Sequence, residues 1–224
     1  MNSDQTQISL KWYEIWWKVF IRPSVKTYSR IISDRKATLN WAIIWMAVTA
    51  LIGWFIGPQR AWLLSSVENV FGLRARNYFY ILGSFQAIIL GVLSLMISAA
   101  IAHKIAFRFD GKGSFHQLAY CWAVMQMPFL LVAGLVMHLP FLFNFSHEFT
   151  FSTLGIIVQI AILVITVSVI LYSAYSGVVA LSAVENLSLG NAFVIMFLTG
   201  IILGIIGACL SFGFQIVVMN LVRS

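Results

Sequence analysis

The sequence predicts an all-α integral membrane protein: a bundle of about five transmembrane helices preceded by an amphipathic interfacial helix. Three observations predict it. Only 9% of the 224 residues are charged and 61% are hydrophobic, whereas a soluble domain carries about 25% charged residues to wet its surface. The mean hydropathy of +0.93 leaves too little polar material to cover a globule, so the outer surface must face lipid. Five apolar runs, each near the length that crosses a hydrocarbon core, alternate with polar clusters. The length fits one bundle, divided into a cytoplasmic basic N-terminal segment (residues 1–38) and a five-span domain (residues 39–224).

The interfacial helix is expected from Leu10 to Ile21. Tyr13, Trp16, Trp17 and Phe20 recur at helical spacing, with Lys11, Glu14 and Lys18 opposite. Trp and Tyr suit the headgroup region because each joins an apolar body to a polar tip. Arg22-Pro23 ends this helix, and a short amphipathic turn through Tyr28, Ile31 and Ile32 leads to Ser33-Asp34-Arg35-Lys36.

The spans follow in order. The first runs from Leu39 to Ile56 and stops at Gly57-Pro58. The connection after it carries Arg60, Glu68, Arg74 and Arg76, with Trp62, Leu63, Val67, Val70 and Phe71 predicting a separate surface-lying helix. The second span covers about Tyr78 to Ile101, and His103, Lys104, Arg108, Asp110 and Lys112 mark its polar end. Gly111-Lys112-Gly113-Ser114 forms a turn, with Ser114 as an N-cap for the third span, Leu118 to Leu139. That span contains Pro128, which removes one backbone hydrogen bond and predicts a kink. An aromatic and polar segment holding Asn144, His147 and Glu148 suits the opposite interface. The fourth span begins near Leu154 and reaches Val179 or beyond, Glu185-Asn186-Leu187-Ser188 forms a turn, and the fifth runs from Ala192 to Val218.

The formal charge is +7, and half of the Lys and Arg lie between Lys11 and Lys36. Beside a first span, such a cluster is a topology signal and an attraction for anionic lipid, not a nucleic-acid surface. Five spans with the N-terminus inside place Lys11 to Lys36 and Lys104 to Lys112 in the cytoplasm, leaving Arg60, Arg74, Arg76 and Arg223 outside. The expected orientation is therefore N-terminus cytoplasmic and C-terminus outside. Cys121 and Cys209 lie in apolar runs without metal-ligand spacing, and the polar start of the chain predicts no cleaved signal peptide.

No catalytic pattern is present. The Gly111–Ser114 turn lacks phosphate-loop spacing, and His147-Glu148 has no second ligand pair. Neither a metal nor a cofactor is expected. Small residues instead give a packing signal: Gly83, Ala87 and Gly91 recur every fourth position, as do Gly200 and Gly204, with Gly207 alongside. These stripes serve internal packing or a partner helix. The mid-span amides Gln86, Gln126, Gln159 and Gln215 read as interhelical hydrogen bonds, or as a solute path if they converge on one cavity. His103 and His138 are the candidates for axial ligation of a haem or pigment.

The layout also resembles the bacterial branch of the Yip family, whose eukaryotic members interact with Rab GTPases. The likeness rests on Trp17-Lys18-Val19-Phe20-Ile21-Arg22-Pro23, Thr27-Tyr28-x-x-Ile31 and Asp34-x-Lys36-Ala37, then Gly111-Lys112-Gly113-Ser114-Phe115 and Ala180-Leu181-x-x-Val184-Glu185-x-Leu187-Ser188. It spans Trp16 to about Val218. It implies a five-span bundle with a cytoplasmic N-terminus, and it does not imply catalysis. The Asp-Leu-Tyr-Gly-Pro signature of eukaryotic members is missing, so Rab-type partnering is not implied.

The expected function is a non-enzymatic membrane scaffold or accessory subunit of a membrane complex, engaging other membrane proteins or itself. Trp16, Trp17 and Phe20 would anchor in the interface while Lys18, Arg22, Lys26, Arg30, Arg35 and Lys36 attract anionic lipid. The alternatives are a small-solute or ion transporter using the four glutamines with Pro128 as a hinge, and a haem- or pigment-binding subunit.

Overall fold

The computed structural model describes residues 11–56, 58–142 and 153–223, with side-chain detail for residues 11–56, 78, 80–136 and 155–210. Seven helices, and no strands, occur among the described residues: α1 Trp12–Ile21, α2 Val25–Ile32, α3 Leu39–Ile56, α4 Pro58–Phe107, α5 Phe115–Leu142, α6 Thr153–Glu185 and α7 Leu189–Arg223. Five stretches are long and apolar enough to cross a membrane: Leu39–Ile56, Tyr80–Phe107, Phe115–Val136, Gly155–Glu185 and Leu189–Leu210.

The helix ends have local causes. α1 stops where Pro23, lacking an N–H and now buried, takes the place of the next turn. α2 starts at Ser24, whose hydroxyl accepts a hydrogen bond from Thr27 N at 3.1 Å, a side-chain cap for an orphan donor. Thr27 Oγ1 in turn donates to Arg22 O at 3.0 Å, tying the two short helices together. After α2, the Asp34 carboxylate accepts from Lys36 N at 3.0 Å and folds the chain into α3.

Two expectations change. The surface helix predicted around Trp62 to Phe71 is not separate, because α4 runs unbroken from Pro58 into the second span. Pro58 stands at the first helical position, where its missing N–H costs nothing, and no later proline stops the helix. Arg60, Glu68, Arg74 and Arg76 interrupt hydropathy without interrupting helicity. The last helix is also longer than its apolar core, starting at Leu189 and reaching Arg223.

α5 is the centre of the bundle. It packs against α1, α2, α3, α4 and α6, and from Leu118 to Met127 every residue is buried except half-buried Gln126. Small residues let the neighbours approach. A Cβ on Gly91 of α4 would lie 2.7 Å from Ala50 Cβ of α3, and one on Gly83 would enter the Trp54 ring. Such close backbone approach is how helices gain dispersion energy where no hydrophobic driving force separates helix from lipid. By contrast, α7 touches only α6 and α4 to any extent and leaves most of its surface outward.

Candidate functional site

Because the spans alternate in direction, one end of the bundle gathers the starts of α3, α5 and α7 with the ends of α4 and α6. The N-terminal helices lie at the same end. Lys11, Lys18, Arg22, Lys26, Arg30, Arg35, Lys36, Lys104, Arg108 and Lys112 therefore share it. Three polar ties fix this end.

The first is built on Glu185, the last residue of α6 and fully buried. Its Oε1 lies 2.6 Å from His103 Nδ1 on α4. Its Oε2 accepts from Gly113 N at 2.9 Å, and its main-chain oxygen accepts from Lys112 N at 3.0 Å. The glycine loop thus folds over the carboxylate. A Cβ on Gly113 would lie 2.5 Å from Val184 O and 2.8 Å from the Glu185 carboxyl, so only glycine fits. Asp110 and Asn186 turn the chain with φ of 62° and 56°, a left-handed conformation that Asp and Asn tolerate better than most residues. Ser182 Oγ closes the second turn by donating to Leu187 O at 2.6 Å. An imidazole and an amide N–H satisfy the buried carboxylate, which would otherwise be costly at a membrane boundary.

The second tie is the hydrogen bond between Tyr28 Oη and Ser176 Oγ, 2.6 Å long and buried. It fastens α2 to α6, with Ile31 buried beside it. Burial pushes the Tyr28 phenol well above its ordinary range and keeps it protonated. The third tie is the Asp34 turn, itself buried where α2 gives way to α3.

α1 completes this end by lying on the bundle. Ile15 and Val19 are buried. Trp16 packs edge-on against Trp45 of α3, centroids 5.2 Å apart, and Phe20 packs against Phe129 of α5 and Tyr172 of α6 at 5.4 and 6.3 Å. At about 100° per residue, Ile15, Val19, Trp16 and Phe20 form one stripe, Tyr13, Trp17 and Ile21 an adjoining one, and Glu14, Lys18 and Lys11 a third. The middle stripe is exposed.

The model of one family, the Yip1 domain, matches residues 17–211. The chain belongs to the Yip1-domain family. No curated protein and no solved structure matches it. The Yip1 domain so delimited takes in Trp17, all five spans, and all three ties. The resemblance to the Yip family is thereby borne out, and four of the five motifs that carried it fall on the ties: Tyr28 and Ile31, Asp34 and Lys36, the glycine loop, and Glu185.

The predicted site residues of this Yip1 domain and the helix before it fare differently. Trp16 and Phe20 are half-buried where α1 docks, so only part of each ring is left to face lipid. Ile15 and Val19 extend the same apolar arc. Trp17 is exposed, as are Arg22, Lys26, Arg30, Arg35 and Lys36, and Lys18 is half-exposed. Gly83 and Gly91 meet α3, with Ala87 partly buried between them. Gly200, Gly204 and Gly207 meet nothing within 4 Å among the described residues, so their stripe packs no helix of this chain there. Gln126 lines a lipid-depth groove of about 440 Å³ between α5, α6 and α7, with Ser173 and Met196. Gln86 and Gln159 are exposed and lie outside that groove, and the Gln215 side chain lies outside the described residues. His103 does not point to headgroups alone, because Glu185 holds its Nδ1; the His138 side chain and the 143–152 segment with His147 and Glu148 lie outside the described residues. No cluster of three His, Cys, Asp or Glu with metal-binding geometry occurs among the described residues.

Reading the sequence missed Glu185, treating it as part of a turn. A signal was present: an acid directly after the largely apolar run Val178 to Val184, at the end of a membrane span.

Proposed function

We propose that this integral multi-pass protein is a non-enzymatic membrane scaffold or accessory subunit whose docked N-terminal segment is its contact platform. One observation carries the reading. α1 is fixed to the bundle along one stripe and presents Tyr13, Trp17 and Ile21 on the adjoining one, beside exposed basic side chains. A preformed aromatic surface loses little conformational entropy on contact, which is what a scaffold needs. The partners are anionic membrane lipid and other membrane proteins or a second copy.

The same end carries ten Lys and Arg, against Arg60, Arg74, Arg76 and Arg223 elsewhere. The positive-inside bias favours that end, and the N-terminus with it, in the cytoplasm, with the C-terminus outside. A bacterial inner membrane is the location that fits the resemblance. Cysteine labelling in intact cells tests orientation: a probe at Ser114 should be protected and one at His147 labelled. Equal labelling from outside would end the N-inside assignment.

Function is tested by purification in mild detergent with mass spectrometry, set against solute flux in proteoliposomes. A stoichiometric complex lost in Tyr13→Ala with Trp17→Ala supports the scaffold. Solute flux from a lone protein, abolished by Gln126→Leu, would replace it with transport. The scattering of Gln86, Gln126 and Gln159 argues against that outcome.

A further inference from the structure

We propose that a polar cavity between the starts of α3 and α5 is a specific binding site for a phosphate group, supplied by a phospholipid headgroup. The cavity has a volume of about 390 Å³, within the range of small-ligand sites. Five of its lining residues carry polar side chains: Thr38 and Asn40 from one helix start, Ser114, His116 and Gln117 from the other. None of the five is among the exposed basic residues that attract lipid generally, so this inference stands apart from the scaffold reading.

The chemistry of the lining selects the ligand. Two hydroxyls, two carboxamides and an imidazole all offer hydrogen-bond donors, and no carboxylate lines the space. The acids nearby are not among its lining residues. The Asp34 carboxylate is buried and takes the Lys36 amide, Asp110 is exposed in the loop, and the buried Glu185 carboxylate is held by His103 and the Gly113 amide. A donor-rich, acid-free cavity suits a group that presents several acceptor oxygens and a negative charge.

The backbone adds to the same preference. The first intrahelical bonds run from Ala42 N to Thr38 O and from Leu118 N to Ser114 O, each 3.0 Å. The amides before them, at residues 39–41 and 115–117, have no acceptor within their own helices. Lys36 and Lys112, both exposed, stand one and two residues before the lining residues Ala37 and Ser114 and add positive charge in that neighbourhood. Position settles the source. Residues 39 and 115 begin membrane spans, so the cavity opens at the level of phospholipid phosphates, where the local concentration of that group is highest.

The test uses the full-length protein in phosphate-free maltoside micelles titrated with fluorescent phosphatidylglycerol, with inorganic phosphate as competitor. Thr38→Val with Gln117→Leu keeps side-chain size while removing donors, and Asn40→Leu is a second, separate variant. Each should weaken saturable phosphatidylglycerol binding by about tenfold, the scale of one lost charge-assisted hydrogen bond, with the melting temperature unchanged. Lys18→Gln with Lys26→Gln should leave that saturable component in place and lower only the salt-sensitive background. Displacement by millimolar phosphate, lost in the same cavity variants, would assign recognition to the phosphate group itself. No displacement, with variant-sensitive lipid binding retained, would assign it to the lipid headgroup. Cavity variants that bind phosphatidylglycerol like the unaltered protein would overturn the site while leaving the aromatic platform untouched.

Discussion

His103 and Glu185, 82 positions apart in the chain, meet at 2.6 Å where α4 and α6 end. The pair is asymmetric: the imidazole is about one-third exposed and the carboxylate is fully buried. Glu185 therefore depends on its partners, while His103 retains water or headgroups on its open side. Gly113 N–H supplies the other half of the cradle, so α4, the glycine loop and α6 share one carboxylate.

Removing that carboxylate should cost more than removing its partner. Glu185→Leu strands the Gly113 N–H and loses the imidazole contact, each an unmet polar group of about 1–3 kcal/mol. Glu185→Gln keeps an oxygen for one donor and should fall between. Melting temperatures in detergent should order as unaltered, then Glu185→Gln, then Glu185→Leu. Glu185→Leu melting with the unaltered protein would mean that the cradle is not a structural tie.

The two small-residue stripes should behave oppositely. Gly83→Leu forces a side chain into the Trp54 ring and should lower the melting temperature sharply, an overpacking effect of about 1–3 kcal/mol or more. Gly204→Ile meets open space and should leave the isolated chain's stability unchanged. If it nonetheless breaks a co-purifying complex or an oligomer seen by size exclusion, that face of α7 belongs to a partner helix. A destabilised monomer would show an intrachain contact that the described residues lack.

Sequence patterning made the five spans legible because lipid demands long apolar runs, and their bounds follow closely from composition. It could not choose the docked stripe of α1. Ile15, Trp16 and Val19 are as apolar as Tyr13 and Trp17, and helical spacing alone ranks neither stripe above the other. The continuity of α4 escaped because arginines after Pro58 resemble a loop to a hydropathy scan, although arginine is a good helix former. Glu185 escaped for a different reason. Its partners lie 72 and 82 residues away, and no local pattern encodes such a distance. Two separate motifs, the glycine loop and the Glu185 linker, were each visible without any sign that they touch.

Tyr28→Phe isolates the attachment of α2. It removes the hydroxyl facing Ser176 and leaves Ser176 without its buried partner, costing about 1–2 kcal/mol. Trypsin should then cut faster at Lys26 and Arg30, because the segment lifts more often from α6. Tyr28→Phe combined with Ser176→Ala should recover part of the loss, since both unmet groups are gone. Equal cleavage rates in all three proteins would show that apolar burial at Tyr28 and Ile31 holds α2 by itself.

The neighbouring tryptophans of α1 should separate stability from lipid contact. Trp16 rests between Trp12 and Trp45, with ring centroids at 4.8 and 5.2 Å, whereas Trp17 is 68% exposed. Trp16→Ala leaves a hole against α3 and should lower the melting temperature, by about 3–5 kcal/mol if its site were a full core position and by less here. Trp17→Ala removes a largely exposed ring and should melt close to normally, yet weaken retention on vesicles and quenching by lipid labelled near the headgroup. On the proposed reading, charge should act separately through Lys18, Arg22, Lys26 and Arg30, each worth about 1 kcal/mol beside an anionic surface and screened within a Debye length. Replacing those four by glutamine should abolish the salt dependence of lipid labelling near α1 without altering Trp16 packing. A peptide of residues 10–36 is a poor substitute, because its docking stripe would be free to enter lipid and would inflate the affinity. If Trp17→Ala destabilises the protein as much as Trp16→Ala, the outward stripe is buried by a further protein surface, and the aromatic platform faces a partner instead of the bilayer.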